Sequence, residues 1–384
     1  MICFVFPPRF SGAAIQAVAL SNRLAKHGVE CEFLVPNYID GAIYKKSKEG
    51  RLSIHRVKGG NWGFAFATLI FLLLRRRHYH TLHFHGFFSG HFLSVYLARF
   101  FRLRIIQKLT KGDENYNEIY TRGFFAAFRK RALFLIDDYV AISSALYRVL
   151  LKFGIPQSRI NYIPNGVDVD VFRCDRKRNT KYLREELCLP QDVFVVLCVG
   201  VIDERKNNLY ILRSMLHSFQ IRAAAKKHVK LVFAGPFHNA EYSRKVIEYT
   251  RKSGLNDNVD FMGQIMQERL AMLYSASDLC VFAGTKEGLP NVLLEAKSAG
   301  LPIVAFTTSG VEDIVRDGTD GFLVPFGNVD AFAEKVLLLM EDSELRKSFS
   351  FQAIKDCLNR YDFKTITARY ISEIYYPKLI VGCL

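Results

Sequence analysis

The sequence is poor in the features that mark secreted, membrane-spanning or metal-binding chains. Eight cysteines are scattered over 384 residues, and no two form a C-x-x-C pair, so neither a disulfide framework nor cysteine zinc spacing is present. Cys198 and Cys280 sit inside apolar runs and read as small core residues of a protein in a reducing compartment. His83 and His85 have no carboxylate close in sequence, so no metal is expected. The longest nearly apolar run, Phe64 to Leu74, is 11 residues, well short of the ~20 that a spanning helix needs. Met1-Ile-Cys-Phe-Val-Phe6 enters Pro7-Pro8 without a basic start or a small-residue cleavage site, so no secretory leader is expected and the chain reads as cytoplasmic. With Gly at 25 and Pro at 11, collagen-like and Pro-rich classes fall away. No fixed-period repeat suggests a solenoid or propeller. No G-x-G-x-x-G follows a strand and no G-x-x-x-x-G-K-[ST] occurs, which leaves nicotinamide and P-loop readings without support.

The length suits two domains at roughly 150 residues each, or three. Half of the residues are apolar and 23% are charged, an ordinary globular balance. Acidic residues are scarce in one half only. Residues 1–180 hold 28 Lys and Arg against 12 Asp and Glu, whereas residues 181–384 hold 25 of each, so the first half carries the whole net charge of +16. Much of that charge is interleaved with aromatics, as in Phe71-Leu-Leu-Leu-Arg75-Arg76-Arg77, Arg99-Phe-Phe-Arg102 and Phe128-Arg129-Lys130-Arg131. Three readings compete: core helices with a solvated basic face, a nucleic-acid surface, and a surface that docks on an anionic leaflet. Nucleic acid is not the expected partner, because no helix-turn-helix, zinc-finger or RNP signature occurs. Phenylalanine beside arginine suits a headgroup boundary.

Periodicity gives two α/β series. In the first, strands at Ile2–Phe6, Cys31–Pro36, Thr81–His85, Arg104–Leu109 and Tyr139–Ile142 alternate with helices; the first helix opens at Ser11-Gly12-Ala13-Ala14 and stops at His27-Gly28. The polar stretch Arg173–Thr180 is the linker candidate. In the second, strands at Val193–Val199, Val229–Ala234, Val259–Met262, Leu279–Phe282 and Pro302–Phe306 alternate with helices at Leu209–Phe219, Tyr242–Ser253, Leu270–Ser275 and Val292–Ala299. The expected class is α/β: two Rossmann-like, doubly wound parallel-sheet domains, 1–173 and 181–364, facing a central cleft, with a last helix in 365–384 crossing back to the first. Ligands in such sheets lie beyond the carboxyl ends of the strands.

The segment richest in chemistry is Gly284-Thr-Lys-Glu287-Gly288-Leu289-Pro290-Asn291-Val-Leu-Leu-Glu295. A strand ends at Phe282, and Asn291 begins a helix whose free N–H groups favour an anion. Gly288 lets backbone approach a ligand without a Cβ in the way. Two carboxylates flanking an anion site match a ligand with hydroxyls on either side of phosphates, the layout of a nucleotide sugar. The structural alternative pairs Glu287 with Lys286 or makes it a helix cap, and leaves Glu295 in solvent. In Val199-Gly200-Val201-Ile202-Asp203-Glu204-Arg205-Lys206-Asn207, a strand end delivers Arg205 and Lys206 to the same rim. Fixed cations there stabilise charge on a departing diphosphate; the alternative is a solvated turn.

In this order and spacing the set resembles the retaining glycosyltransferases of family 4, with the GT-B fold, over nearly the whole chain. Glu287 and Glu295 match that family's E-x7-E motif, with Gly288-Leu289-Pro290-Asn291 inside it. Arg205-Lys206-Asn207 is similar to its diphosphate loop, and Ser11-Gly12-Ala13 to the glycine loop after the first strand. Ile163-Pro-Asn-Gly-Val-Asp168 is similar to its stretch before the hinge, and Gly300-Leu-Pro-Ile-Val-Ala305 with Ser309-Gly310-Val311 to its final strand and loop. The resemblance implies that Lys206 and Arg205 bind the donor diphosphate and Glu295 the ribose hydroxyls. Glu287 would contact the transferred sugar, with backbone N–H groups from Gly288 to Asn291. It also implies same-face transfer from a nucleotide sugar, a UDP-sugar by preference, with no metal or other cofactor. Two positions depart from the pattern. Val201 stands where many relatives carry Arg, and Lys111 where many carry a His. Lys111 as a phosphate ligand and Lys111 in solvent are equally open; for His85, in His83-Phe-His85-Gly86, a buried structural role is expected ahead of a site role near the acceptor. The expected acceptor is a lipid-linked glycan or surface polysaccharide at the inner face of the membrane, the protein sitting there peripherally. A small sugar or sugar-phosphate acceptor, a non-catalytic glycan binder and an epimerase are the alternatives.

Overall fold

The computed structural model describes residues 1–6, 12–39, 42–86, 90–111, 125–173 and 180–376. Two compact units form, one of Met1–Asn165 joined by the chain from Ile366, the other of Gly166–Thr365. Residues 166–173, read from the sequence as the end of the first domain, pack in the second unit. The Val167 N–H donates to the Tyr361 carbonyl at 2.8 Å, and the Phe363 N–H to the Val167 carbonyl at 3.0 Å. Phe172 meets the Tyr274 ring edge-on at 5.8 Å. Most of the expected linker, residues 174–179, lies outside the described residues.

In the first unit the strands are β1 (Ile2–Cys3), β2 (Glu32–Pro36), β3 (Tyr44–Glu49), β4 (Leu52–Val57), β5 (Thr81–His85), β6 (Arg104–Lys108), β7 (Asp138–Ala141) and β8 (Ile160–Tyr162). They lie in the order β3-β4-β2-β1-β5-β6-β7-β8. Phe33, Val35, Ile54, Ile105, Ile106 and Val140 are fully buried, the near-continuous apolar content of strands covered on both faces. The sequence suggests a wholly parallel sheet, but β3 runs antiparallel to β4. Its residues Tyr-Lys-Lys-Ser-Lys-Glu show no apolar alternation and are nearly all exposed; lysines on such an edge discourage pairing with another chain. The helix Gly12–Leu24 ends through a short turn at Gly28, whose φ of 78° closes it. From Phe363 a helix runs into a π-helical turn, Tyr370–Tyr375, and Ile366, Tyr370 and Ile374 pack with Leu20, Leu24, Ile106 and Val140.

In the second unit β9 (Phe194–Val199), β10 (Val229–Ala234), β11 (Val259–Phe261), β12 (Leu279–Phe282), β13 (Ile303–Phe306) and β14 (Gly321–Val324) form a sheet in the order β11-β10-β9-β12-β13-β14. Every pairing in it is parallel. Chain order reverses between β9 and β12, so the crevice at their carboxyl ends is the topological switch point where such sheets bind ligands. The first sheet has its own switch between β1 and β5.

The helix Asn291–Ser298 follows β12 and is clamped from below by Lys297. This fully buried ammonium lies 2.9 Å from Asp320 and 2.6 Å from Asp356, and it donates to the Ile314 carbonyl at 2.5 Å. Truncating Lys297 leaves the two buried carboxylates with only the partly exposed Arg316 and Arg360 as counter-ions. Lys297→Ala is expected to cost about 3–5 kcal/mol of stability, measured by urea unfolding. A loss below about 1 kcal/mol would show that water or a neighbouring cation replaces the ammonium at little cost.

Candidate functional site

Two loops meet at the β9/β12 switch point. After β9, Gly200 takes a φ of 142°, and the chain turns through Glu204–Lys206 into the helix Asn208–Ile221. The Asp203 carboxylate accepts from the Lys206 N–H at 2.9 Å, and Asn207 holds a left-handed φ of 53°, so a tight capped turn aims both cations. After β12 the second loop is tied to the first. Thr285 N–H donates to the Arg205 carbonyl at 2.9 Å, and the Asn207 amide donates to the Ala283 carbonyl at 3.0 Å.

Glu287 bridges the two loops. One of its oxygens stands 2.8 Å from the Lys206 ammonium and 2.9 Å from the Arg205 guanidinium. Lys206 also lies over the Phe282 ring, 5.1 Å from its centre. The solvated-turn alternative therefore fails for Lys206, only 14% exposed, while Arg205 keeps 45% of its side chain in water. Glu287 does not cap the helix. That helix starts after Pro290, which offers no side-chain acceptor, leaving the anion-favouring end uncapped by this residue. Gly310 passes so close to the Gly288 carbonyl that a Cβ would lie 2.6 Å from it, at a φ of +81°; this contact supports the stretch Gly288-Leu289-Pro290-Asn291.

Glu295 is not the solvated helix residue of the alternative reading. It is half-buried and accepts a hydrogen bond from the Tyr274 hydroxyl at 3.0 Å, a hydroxyl that also reaches the Val292 carbonyl at 3.1 Å. Burial raises its carboxyl to about 7, against the smaller opposing pull of Tyr274. Tyr274 was not singled out from the sequence; 21 residues separate it from Glu295, and no local pattern marks it.

The first-unit candidates are less gathered. Gly12 and Ala13 form the first turn of the helix Gly12–Leu24 rather than a loop; residues 7–11, which precede them, are outside the described residues. Lys111 is exposed, and residues 112–124 lie outside the described residues. His85 ends β5, buried, with neither ring nitrogen partnered among the described residues. Beside it in register stands Lys108, which the sequence reading passed over as part of a strand. Lys108 is 2% exposed, and burial lowers its ammonium to about 7. His83 accepts from or donates to the Tyr375 hydroxyl at 2.9 Å. Burial pushes both histidines well below their usual range.

Two tandem doubly wound units, with cations and carboxylates at the second unit's switch point, define a GT-B glycosyltransferase. Residues 10–171 match the model of Glycosyltransferase Family 4, and residues 179–356 that of Glycosyl transferases group 1. The chain belongs to the family 4 glycosyltransferases. It is 22% identical to the N-acetyl-alpha-D-glucosaminyl L-malate synthase of Bacillus anthracis, over 97% of this chain and 95% of that protein. It is 27% identical to the capsular polysaccharide biosynthesis glycosyltransferase CapM of Staphylococcus aureus, over 62% of this chain and 61% of that one. The crystal structure of Anabaena HepE in complex with UDP and glucose superposes with a TM-score of 0.76 at 18% identity, covering 97% of this chain and 98% of HepE.

The raised Glu295 carboxyl sets a stability slope. Between about pH 4.5 and 7 the folded chain holds a proton there that the unfolded chain has lost, so this group's contribution to stability falls as pH rises. Comparing denaturant midpoints of wild type and Glu295→Gln across that window isolates it. The difference is expected to change by at most about 1.4 kcal/mol per pH unit, and parallel curves would show that the carboxyl is not raised.

Proposed function

We propose that this glycosyltransferase moves a sugar, with retention, from a UDP-sugar to a lipid-linked or surface-polysaccharide acceptor at the cytoplasmic face of the membrane. The observation that carries the donor half is the Glu287 bridge to Arg205 and Lys206. In the free protein one carboxylate bridges two cations aimed at the switch point and offsets half of their charge. A donor diphosphate arriving there supplies competing negative charge, draws the cations to itself and frees Glu287 for the hydroxyls of the sugar. The bond from C1 to the phosphate oxygen breaks as the acceptor oxygen bonds C1 on the same face, and the acceptor proton passes to the departing phosphate. Arg205 and Lys206 hold the negative charge that grows on that phosphate, so they act more strongly in the transition state than before it. Glu295, one turn into the helix, takes the ribose hydroxyls, and the helix start at Asn291 faces the phosphates. No metal is assigned to the reaction. The UDP preference draws on HepE, whose structure holds UDP and glucose.

The acceptor half rests on the excess positive charge of the first unit and on the capsular-polysaccharide role in the name of CapM. A second reading, a small anionic acceptor, is favoured by the malate synthase relative, which aligns over nearly its whole length.

Lys206→Ala tests the donor half. A nucleotide at 100 times its Kd stabilises its protein by about 2.7 kcal/mol. UDP is therefore expected to raise the melting temperature of wild type and not of Lys206→Ala; equal shifts in both would remove Lys206 from the site. Glu287→Gln separates binding from chemistry. With its cations freed, it is expected to bind UDP at least as tightly as wild type while transfer slows by about 10²-fold. UDP binding lost together with activity would contradict the counter-ion role.

A further inference from the structure

Between Glu49 and Asp113 the sequence contains no Asp or Glu, and it contains 11 Lys and Arg. Within that stretch lies the helix Asn61–Arg75, which is apolar on two faces. Its inner face buries Phe64, Ala65 and Leu72. Its outer face presents Trp62, Phe66, Ile70, Leu73 and Leu74 at helical spacing, with Phe66 65% and Leu74 77% exposed. A helix of 15 residues is too short to span a bilayer, and water alone is a poor neighbour for such a stripe.

The helix ends in a run of arginines beside an open cavity of about 380 Å³, lined by Arg76, Arg77, Arg102, His80 and Phe101 among others. Among the described residues no carboxylate lines it. Arg76 stacks on the Phe101 ring at 5.0 Å, and neither Arg77 nor Arg102 has an acidic partner among the described residues. Arg102 follows the helix His91–Phe100 at a φ of 57°. This left-handed position usually carries glycine, and here it turns a guanidinium to the cavity. Phe100, 79% exposed, stands two residues before it in the chain. The cavity opens at the amino ends of β5 and β6, the sheet edge opposite His85 and Lys108.

We propose that the helix Asn61–Arg75 lies in the surface of an anionic leaflet, with its outer stripe among the acyl chains and a lipid headgroup phosphate in the Arg76–Arg77–Arg102 cavity. Apolar insertion and cationic attraction act together at such a surface, and a planar guanidinium matches phosphate in geometry as well as charge. The inference rests on the membrane-linked half of the proposed function and is independent of the donor half.

Co-sedimentation with phosphatidylcholine vesicles, with and without phosphatidylglycerol, tests it at low salt. UDP-induced stabilisation of the same preparations reports on the fold and the donor site. Wild type is expected to bind vesicles that contain phosphatidylglycerol and to ignore pure phosphatidylcholine. Arg102→Gly, which relieves the left-handed backbone and so keeps the fold, is expected to bind about five-fold more weakly. Leu74→Ser and Phe100→Ser, both at exposed positions, are expected to weaken binding further, with UDP stabilisation intact in all three. Wild type failing to bind anionic vesicles would overturn this inference and the lipid-linked acceptor together. Wild type binding while the arginine and stripe variants bind equally well would overturn the inference alone. Equal retention on polyglutamate would reveal a general polyanion surface, and displacement by inorganic phosphate that itself stabilises wild type but not Arg102→Gly would reveal a soluble-phosphate site; either outcome overturns docking on a leaflet.

Discussion

The second unit is built around a charge that water would normally keep. The Lys297 ammonium sits between Asp320 and Asp356 with no solvent exposure. Arg316 and Arg360 approach the same two carboxylates from the outside, at 3.1 and 3.4 Å. Burying one ion pair seldom gains stability over an apolar packing of equal volume. What it provides is geometry, because an ammonium with three short acceptors has one place to be. Lys297 stands two residues after Glu295 on the helix Asn291–Ser298, so the network fixes the rotation and depth of that helix. The carboxyl against Tyr274 and the loop that carries Glu287 inherit their positions from it.

The repeated strands and helices were legible because their signals are local. Thr81–His85, Val229–Ala234 and Leu279–Phe282 are strands at the bounds that their apolar runs suggest. The edge strand β3 was not legible, since an exposed edge selects lysine and leaves no alternation to read. At the site, the loop positions of Arg205, Lys206 and Glu287 followed from strand ends and helix starts. Their joining did not, because Glu287 lies 82 residues from Arg205 and only the β9–β12 pairing brings the loops together. Lys286 was the nearer partner in sequence. Glu295 was recognisable as the second carboxylate of the E-x7-E spacing, but its perturbation depends on burial and on Tyr274, neither of which has a sequence signature.

The positive charge of the first half is not uniform in meaning. Arg104 pairs with Asp138 at 2.7 Å and Arg56 with Glu49 at 2.8 Å, and these ties serve the sheet and its edge. Lys108 has been drawn inside, where burial weakens its hold on a proton, so formal charge overstates what it contributes near neutral pH. Counting Lys and Arg therefore exaggerates the field at the carboxyl edge of this sheet. Arg76, Arg77 and Arg102, which precede β5 and β6, are exposed.

The two switch points thus present different chemistry. In the second unit, rigid loops hold formal charges in a partly buried site, where electrostatic interactions outweigh those in open water. Under the proposed function, an anionic ligand there competes with the Glu287 carboxylate for two cations. In the first unit, burial beside Lys108 disfavours a charge on His83 and His85, and among the described residues no carboxylate pairs with either ring. Such a rim offers hydrogen bonds from groups with open valences and does not favour a second cation. Protonating either histidine would place like charges together in a buried site, a cost that rises as more protons are added. The resulting asymmetry, charge exchange at one sheet edge and neutral polar groups at the other, suits a reaction in which one substrate carries a diphosphate and the other presents a hydroxyl.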